Sequence, residues 1–132
     1  MVEDNPTSQV LMRRLLELRH HSVRVASSGP EALEVFEGEP FDLILMDVQL
    51  PEMDGLETTA AVRRKELDAG RSTPIIALTA NAGKREREEC LLAGMNGYLS
   101  KPVDPEELYR VIERFTGVRV LPKGIPLDPQ LS

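Results

Sequence analysis

The chain has 132 residues, is 41% hydrophobic and 29% charged, and carries a formal net charge of −6. That length suits one buried core rather than two, and the acidic balance argues against a general nucleic-acid binder, which needs a basic face. A single cysteine, Cys90, excludes a disulfide framework and a Cys-based metal site; with no apolar run near the roughly 18 residues of a membrane span and no signal-peptide pattern, a soluble protein of a reducing cytoplasm is expected.

In chain order, Asn5-Pro6 reads as a helix cap followed by proline in the first turn, with Leu11, Leu15 and Leu18 on one helical face. Val23 and Val25 alternate with polar neighbours, as an edge strand would. After Gly29-Pro30, Ala32, Leu33 and Phe36 repeat the helical pattern. Leu43-Ile44-Leu45-Met46 and Ile75-Ile76-Ala77-Leu78 are short uninterrupted apolar runs, the pattern of strands buried on both faces of a parallel sheet. Residues 84–92 form a charged helix stopped by Ala93-Gly94, and Tyr98-Leu99 marks another strand. Asp104 and Glu107 resemble a capping box ahead of Leu108, Val111, Ile112 and Phe115, which follow the i, i+3, i+4, i+7 template.

Strands alternating with helices predict an α/β domain with a parallel sheet covered on both faces. Ligands of such sheets bind at the carboxyl ends of the strands. The residues there are Glu3-Asp4, Asp47, Thr79 and Ser100-Lys101. Three carboxylates at one edge repel unless a cation sits among them. Mg²⁺ favours oxygen ligands and can coordinate phosphate oxygens at the same time. Asp47 can then serve as a carboxylate nucleophile forming an acyl phosphate, with Lys101 and Thr79 neutralising and positioning the phosphoryl group.

Four ordered motifs carry a resemblance. Val2-Glu3-Asp4-Asn5-Pro6, the stretch from Phe41 to Gly55, Pro74-Ile75-Ile76-Ala77-Leu78-Thr79-Ala80 and Tyr98-Leu99-Ser100-Lys101-Pro102 resemble the receiver domain of two-component response regulators. Glu3-Asp4-Asn5, residues 77–82 and Cys90-Leu91-Leu92-Ala93-Gly94-Met95 are most similar to receivers within hybrid sensor histidine kinases. The resemblance implies a flavodoxin-like fold, five parallel strands in the order 2-1-3-4-5 with helices on both faces, over residues 1–116. It implies Asp47 as phosphoacceptor and Mg²⁺ as cofactor, with Asp4 as a direct ligand, Glu3 acting through water and Gln49 through its backbone carbonyl. Thr79 and Lys101 would bind the phosphoryl group, Tyr98 would be a switch aromatic, and Lys101-Pro102 would be a cis bond. The changed surface would be built from the fourth helix, fifth strand and fifth helix. Partners would be a histidine kinase or a histidine-phosphotransfer domain, with the first helix as dock, no nucleic acid and no direct membrane contact; a dimer stays open, as does membership of the cytoplasmic part of a membrane-bound kinase.

Ordinary readings stand beside these. Asp47 alone could be a turn residue, Glu3-Asp4 could open a helix, Tyr98 could be a core aromatic, residues 84–89 a solvated helix face, and His20 and His21 surface residues. Function classes other than a phosphorelay receiver are a receiver-like scaffold that is never phosphorylated and a phosphohydrolase; the glutamine at 49 weighs against the last.

The resemblance is incomplete at the first strand, which offers only Met1 and Val2. Omitting about four buried aliphatic side chains forfeits roughly 6–12 kcal/mol against a usual net stability of about 5–15 kcal/mol, so a chain starting here should be marginal. Residues 117–132 read as a linker, through Pro122, Pro126 and Pro129, or as an extra strand at Val118-Arg119-Val120-Leu121. Both ends read as cut from a larger kinase.

Overall fold

The computed structural model describes residues 1–50, 52–81 and 83–117. The two apolar runs form strands β1 (Ile44–Asp47) and β2 (Ile75–Thr79), every residue of both buried. A third strand, β3 (Gly97–Ser100), alternates in exposure, with Leu99 buried. All pair in parallel in the order β1-β2-β3, with Asp47 opposite Leu78 and Thr79 opposite Ser100. This register brings the ends of three strands to one edge.

Five helices cover the sheet among the described residues: α1 (Pro6–Glu17), α2 (Gly29–Gly38), α3 (Gly55–Ala69), α4 (Lys84–Ala93) and α5 (Pro105–Thr116). Their starts follow local chemistry. Asn5 accepts from the Thr7 and Ser8 N–H groups, Ser28 from Glu31 N–H, and Asp54 from Glu57 N–H, satisfying donors that a helix leaves orphaned. Gly94, at φ 106°, ends α4 in the left-handed region that glycine adopts without strain. Gly55 is required for a different reason. A Cβ there would lie 2.2 Å from the Asp47 carbonyl oxygen, so only glycine lets α3 start so close to the end of β1.

The sheet separates two cores. Val2, Ala32, Met46, Val62 and Ala77 lie on one face; Met12, Leu16, Leu45, Leu78 and Leu108 lie on the other. The inward stripe of α1 is rotated from the one expected. Met12 and Leu16 are buried, with Leu15 packed beside them, whereas Leu11 and Leu18 are 57% and 53% exposed. Periodicity gives a spacing, and Met12-Leu16 satisfies it as well as Leu11-Leu15 does; packing against α5 chooses between them. Below the sheet a buried Glu66 accepts from Thr73 N–H and pairs with Arg63, which also donates to the Thr73 carbonyl, the Gly94 carbonyl and Asn96. Burial favours the neutral acid, but the Thr73 and Arg63 donors outweigh it and hold the Glu66 pKa below its usual value.

Of the five strands expected, three form among the described residues, and the two further lanes, those of Val2 and Ala26, are present as bridges. Val2 bridges Ala26 on one side and Met46 on the other, both in parallel. In this lane the Met1 ammonium donates to the Arg24 carbonyl at 2.8 Å, and desolvation pushes that amine's pKa down to about 6. Val23 and Val25 are not in a strand; beside them Ala26 alone pairs, through its bridge to Val2. Two cavities, of about 30 and 420 Å³, lie along the lane and share Met1, Arg24, Phe41 and Leu43 as wall. Residues Val118 to Leu121, the extra-strand candidate, lie outside the described residues.

Because Val2 is buried in this lane and walls the small, mainly apolar cavity with Ala32, Phe36 and Val62, Val2→Ala should lower the melting temperature by roughly 5 °C or more. Differential scanning calorimetry checks this. An unchanged midpoint would show that the lane does not limit stability.

Candidate functional site

The carboxyl edge of the sheet collects charge. Glu3, 1% exposed, follows the Val2 bridge; Asp47, 4% exposed, ends β1; Lys101 follows β3. Lys101 Nζ donates to Glu3 Oε2 at 3.1 Å and to Asp47 Oδ2 at 2.9 Å. The other Asp47 oxygen, Oδ1, accepts from the Gln49 N–H at 3.0 Å. Both oxygens are therefore engaged and the carboxylate plane is set. The Lys101-Pro102 peptide is cis, as expected.

Asp4 completes the acidic group from the exposed side. Glu3, Asp4 and Asp47 each offer an oxygen within 4.8 Å of the others. Unit charges 4 Å apart interact by about 4 kcal/mol at an effective dielectric constant of 20, so three such carboxylates sharing one lysine leave an excess of negative charge. The donor set is entirely oxygen, partly buried and open on one side, which fits a hard divalent cation that keeps several waters. A cavity of about 550 Å³ opens over it, lined by Glu3, Asp4, Asp47, Gln49, Ala80 and Lys101.

Electrostatics follow from burial. Burial, then the hydrogen bond that a protonated Glu3 carboxyl donates to neighbouring Asp47, pushes the Glu3 carboxyl up to about 7, against the opposing pull of Lys101. Burial alone would lower the Lys101 pKa, but its bonds to Asp47 and Glu3 prevail and raise it. The ammonium therefore stays charged while one carboxyl is poised near neutrality.

Four of the residues singled out from sequence, Glu3, Asp4, Asp47 and Lys101, meet directly, with Gln49 one turn beyond. Thr79 ends β2 at the same edge, but its hydroxyl donates to the Asn81 carbonyl at 2.9 Å and accepts from the Asn81 N–H at 3.1 Å. Tyr98 stands apart, 40% exposed, its hydroxyl accepting from Arg87 at 3.0 Å. Sequence reading missed Arg87, which it placed on a plainly solvated face; a contact between a helix and a strand eleven residues later leaves no local pattern. It also took His21 for a surface residue, whereas His21 is half-buried, its Nε2 lacks a partner among the described residues, and burial with His20 nearby lowers its pKa.

Comparison with known proteins shows the family. The profile of the response regulator receiver domain matches residues 1–113, and the chain belongs to that family. It is 40% identical over 124 residues to the sensor histidine kinase GacS of Pseudomonas protegens, covering 93% of this chain and 14% of that kinase. The chain thus spans about one-seventh of the length of that curated relative. The receiver domain of sensor histidine kinase PA1611 from Pseudomonas aeruginosa PAO1, solved with magnesium in its active-site cleft, superposes with a TM-score of 0.80 at 44% identity, covering 89% of this chain and 94% of that one. The Saccharomyces cerevisiae receiver domain of Ssk1, solved in complex with the phosphotransfer protein Ypd1, matches with a TM-score of 0.85 at 30% identity, covering 93% and 90%. The fold is accordingly the flavodoxin-like receiver fold, and the protein is a signalling receiver of the two-component type.

The raised Glu3 pKa has a definite pH consequence. Between about pH 4.5, where the unfolded carboxyl titrates, and about 7, where the folded one does, the native state binds more protons, so stability falls as pH rises. Urea unfolding without divalent cations should show this loss between pH 5 and 7, and Glu3→Gln should flatten the slope. A wild-type slope matching that of the variant would contradict the assignment.

Proposed function

We propose that this receiver is a phosphoacceptor switch in a His-to-Asp phosphorelay, with Asp47 taking a phosphoryl group from a phosphohistidine of a kinase or a histidine-phosphotransfer domain. One observation carries the reading: a buried carboxylate at a strand end, fixed by the Gln49 N–H and Lys101, beside two further carboxylates. A scaffold would have no reason to hold this costly arrangement together.

In the transfer, an Asp47 oxygen attacks phosphorus, the phosphorus–nitrogen bond breaks with its electron pair going to nitrogen, and the imidazole, its other nitrogen already carrying a proton, leaves as a neutral ring while an acyl phosphate forms. Mg²⁺, held by the Asp4 and Asp47 carboxylates and the Gln49 carbonyl with Glu3 acting through water, would supply charge neutralisation for the phosphoryl oxygens. Lys101 already points at Asp47 and pairs with a transferred oxygen as the group arrives. Thr79 gives up its bond to the Asn81 carbonyl and donates to another. The same constellation supports self-catalysed loss of the group to water.

The phosphoryl group adds about −1.5 to −2 charge at Asp47. Thr79 and Lys101 move toward it, Tyr98 turns inward, and the surface of α4, β3 and α5 changes. Val10, Leu11 and Leu18 leave apolar side chains 53–59% exposed on and beside α1, which suits α1 as the dock for the histidine donor. The setting is cytoplasmic, and the whole protein from which this receiver function is drawn would be a hybrid histidine kinase or a separate partner of one.

Incubation with Mg²⁺ and acetyl phosphate should add one phosphoryl group by intact-mass spectrometry. Asp47→Asn should abolish the gain, and Lys101→Met should reduce its extent at least roughly tenfold. A folded wild type that gains no mass would leave the scaffold reading in its place.

A further inference from the structure

We propose that Arg87 is a latch that holds Tyr98 outward in the resting protein and ties the orientation of that ring to the first turn of α4. The inference rests on the switch reading above and assigns a positioning residue to it.

Tyr98 lies on β3 opposite Ala77, two residues before the Thr79–Ser100 pair. Its hydroxyl accepts from the Arg87 guanidinium at 3.0 Å, and the guanidinium carbon lies 5.5 Å from the ring centroid. Both contacts come from one side chain and both favour the same rotamer. Among the described residues, Arg87 is the sole hydrogen-bond partner of that hydroxyl and forms no ion pair. The ring also lines an open groove of about 710 Å³ between α4 and α5, and Tyr98 is 40% exposed.

Hydrogen bonds connect this latch to the site. The Thr79 hydroxyl bonds both the N–H and the carbonyl of Asn81. The Asn81 side chain accepts from Gly83 N–H at 3.1 Å, and Gly83 is the residue from which α4 starts. That start has no side-chain cap, which leaves its orphan donors dependent on their surroundings and the first turn easy to shift. Arg87 lies one turn in, and its N–H donates to the Gly83 carbonyl at 3.0 Å. A Thr79 hydroxyl that leaves Asn81 for a phosphoryl oxygen removes two bonds from the loop, and α4 carries Arg87 away from Tyr98. Conversely, loss of Arg87 releases the ring with Asp47 unmodified. A conformational equilibrium is shifted by the difference in contacts that its two states make, and Arg87 supplies such a difference to one state alone.

The test reads the ring directly in the full chain. Tyr98 is labelled as 3-fluorotyrosine, assigned by its loss in Tyr98→Phe, and its exposure is measured by broadening from a soluble paramagnetic agent in unphosphorylated protein. Arg87→Ala should raise the protected, inward fraction roughly two- to fivefold and speed phosphorylation by acetyl phosphate by a similar factor. Arg87→Lys, which keeps a donor, should recover much of the outward population. In the Tyr98→Ala background, which removes both contacts, Arg87→Ala should leave the rate unchanged. An inward fraction equal to wild type in Arg87→Ala overturns the latch, whatever the phosphorylation rate. A protein that takes up no phosphoryl group overturns the switch reading, while the fluorine signal still decides the latch.

Discussion

Lys101 Nζ sits within hydrogen-bond distance of two buried carboxylates, one after the Val2 bridge and one at the end of β1. Glu3 and Asp47 are brought to one edge by the sheet itself, and each loses most of its water there. Burying ionised carboxylates is tolerable only with a close countercharge and further donors. The lysine supplies the first, and the Gln49 N–H supplies one of the second. One charge for three carboxylates is too few. That deficit makes the edge receptive to a cation, and in the proposed transfer the phosphoryl group would meet positive charge already in place.

Much of this was legible in the sequence because its causes are local. An uninterrupted apolar run is buried on both faces, so β1 and β2 were readable, and the residue after each run had to fall at the carboxyl edge. Asp47, Thr79 and Lys101 follow from that rule alone. Asn5 and Gly94 announced a helix start and stop by their own chemistry. What stayed hidden was set by tertiary contact. The choice of Met12 and Leu16 over Leu11 and Leu18 depends on α5. The bond from Arg87 to Tyr98 depends on how far α4 leans over β3. The cluster of Arg63 and Glu66 reads as two ordinary charges on a helix and becomes a buried tie only when Thr73 and Asn96 arrive from elsewhere.

The two ends of the sheet contrast. At the lower edge Arg63, Glu66 and Asn96 fasten α3 to the turn before β3, and Asn96 exchanges hydrogen bonds with Ile75 at the start of β2. At the upper edge the groups between strands are charged, partly open and joined by few bonds. Under the proposed phosphorylation, such a division would let a charge event at Asp47 shift loop and helix positions while the strand register holds. The lane of Val2 joins the two ends, since two bridges, to Ala26 and Met46, hold Glu3 and Asp4 beside Asp47.

The central claim is that Asp4 and Asp47 share a divalent cation at the edge where Lys101 meets Glu3. A crystal structure grown with Mg²⁺ tests it most directly. The account predicts an ion bound by the carboxylates of Asp4 and Asp47 and by the backbone carbonyl of Gln49, with water completing its shell. A well-ordered structure in which these side chains hold no ion, or in which Mg²⁺ binds without Asp47, would contradict it.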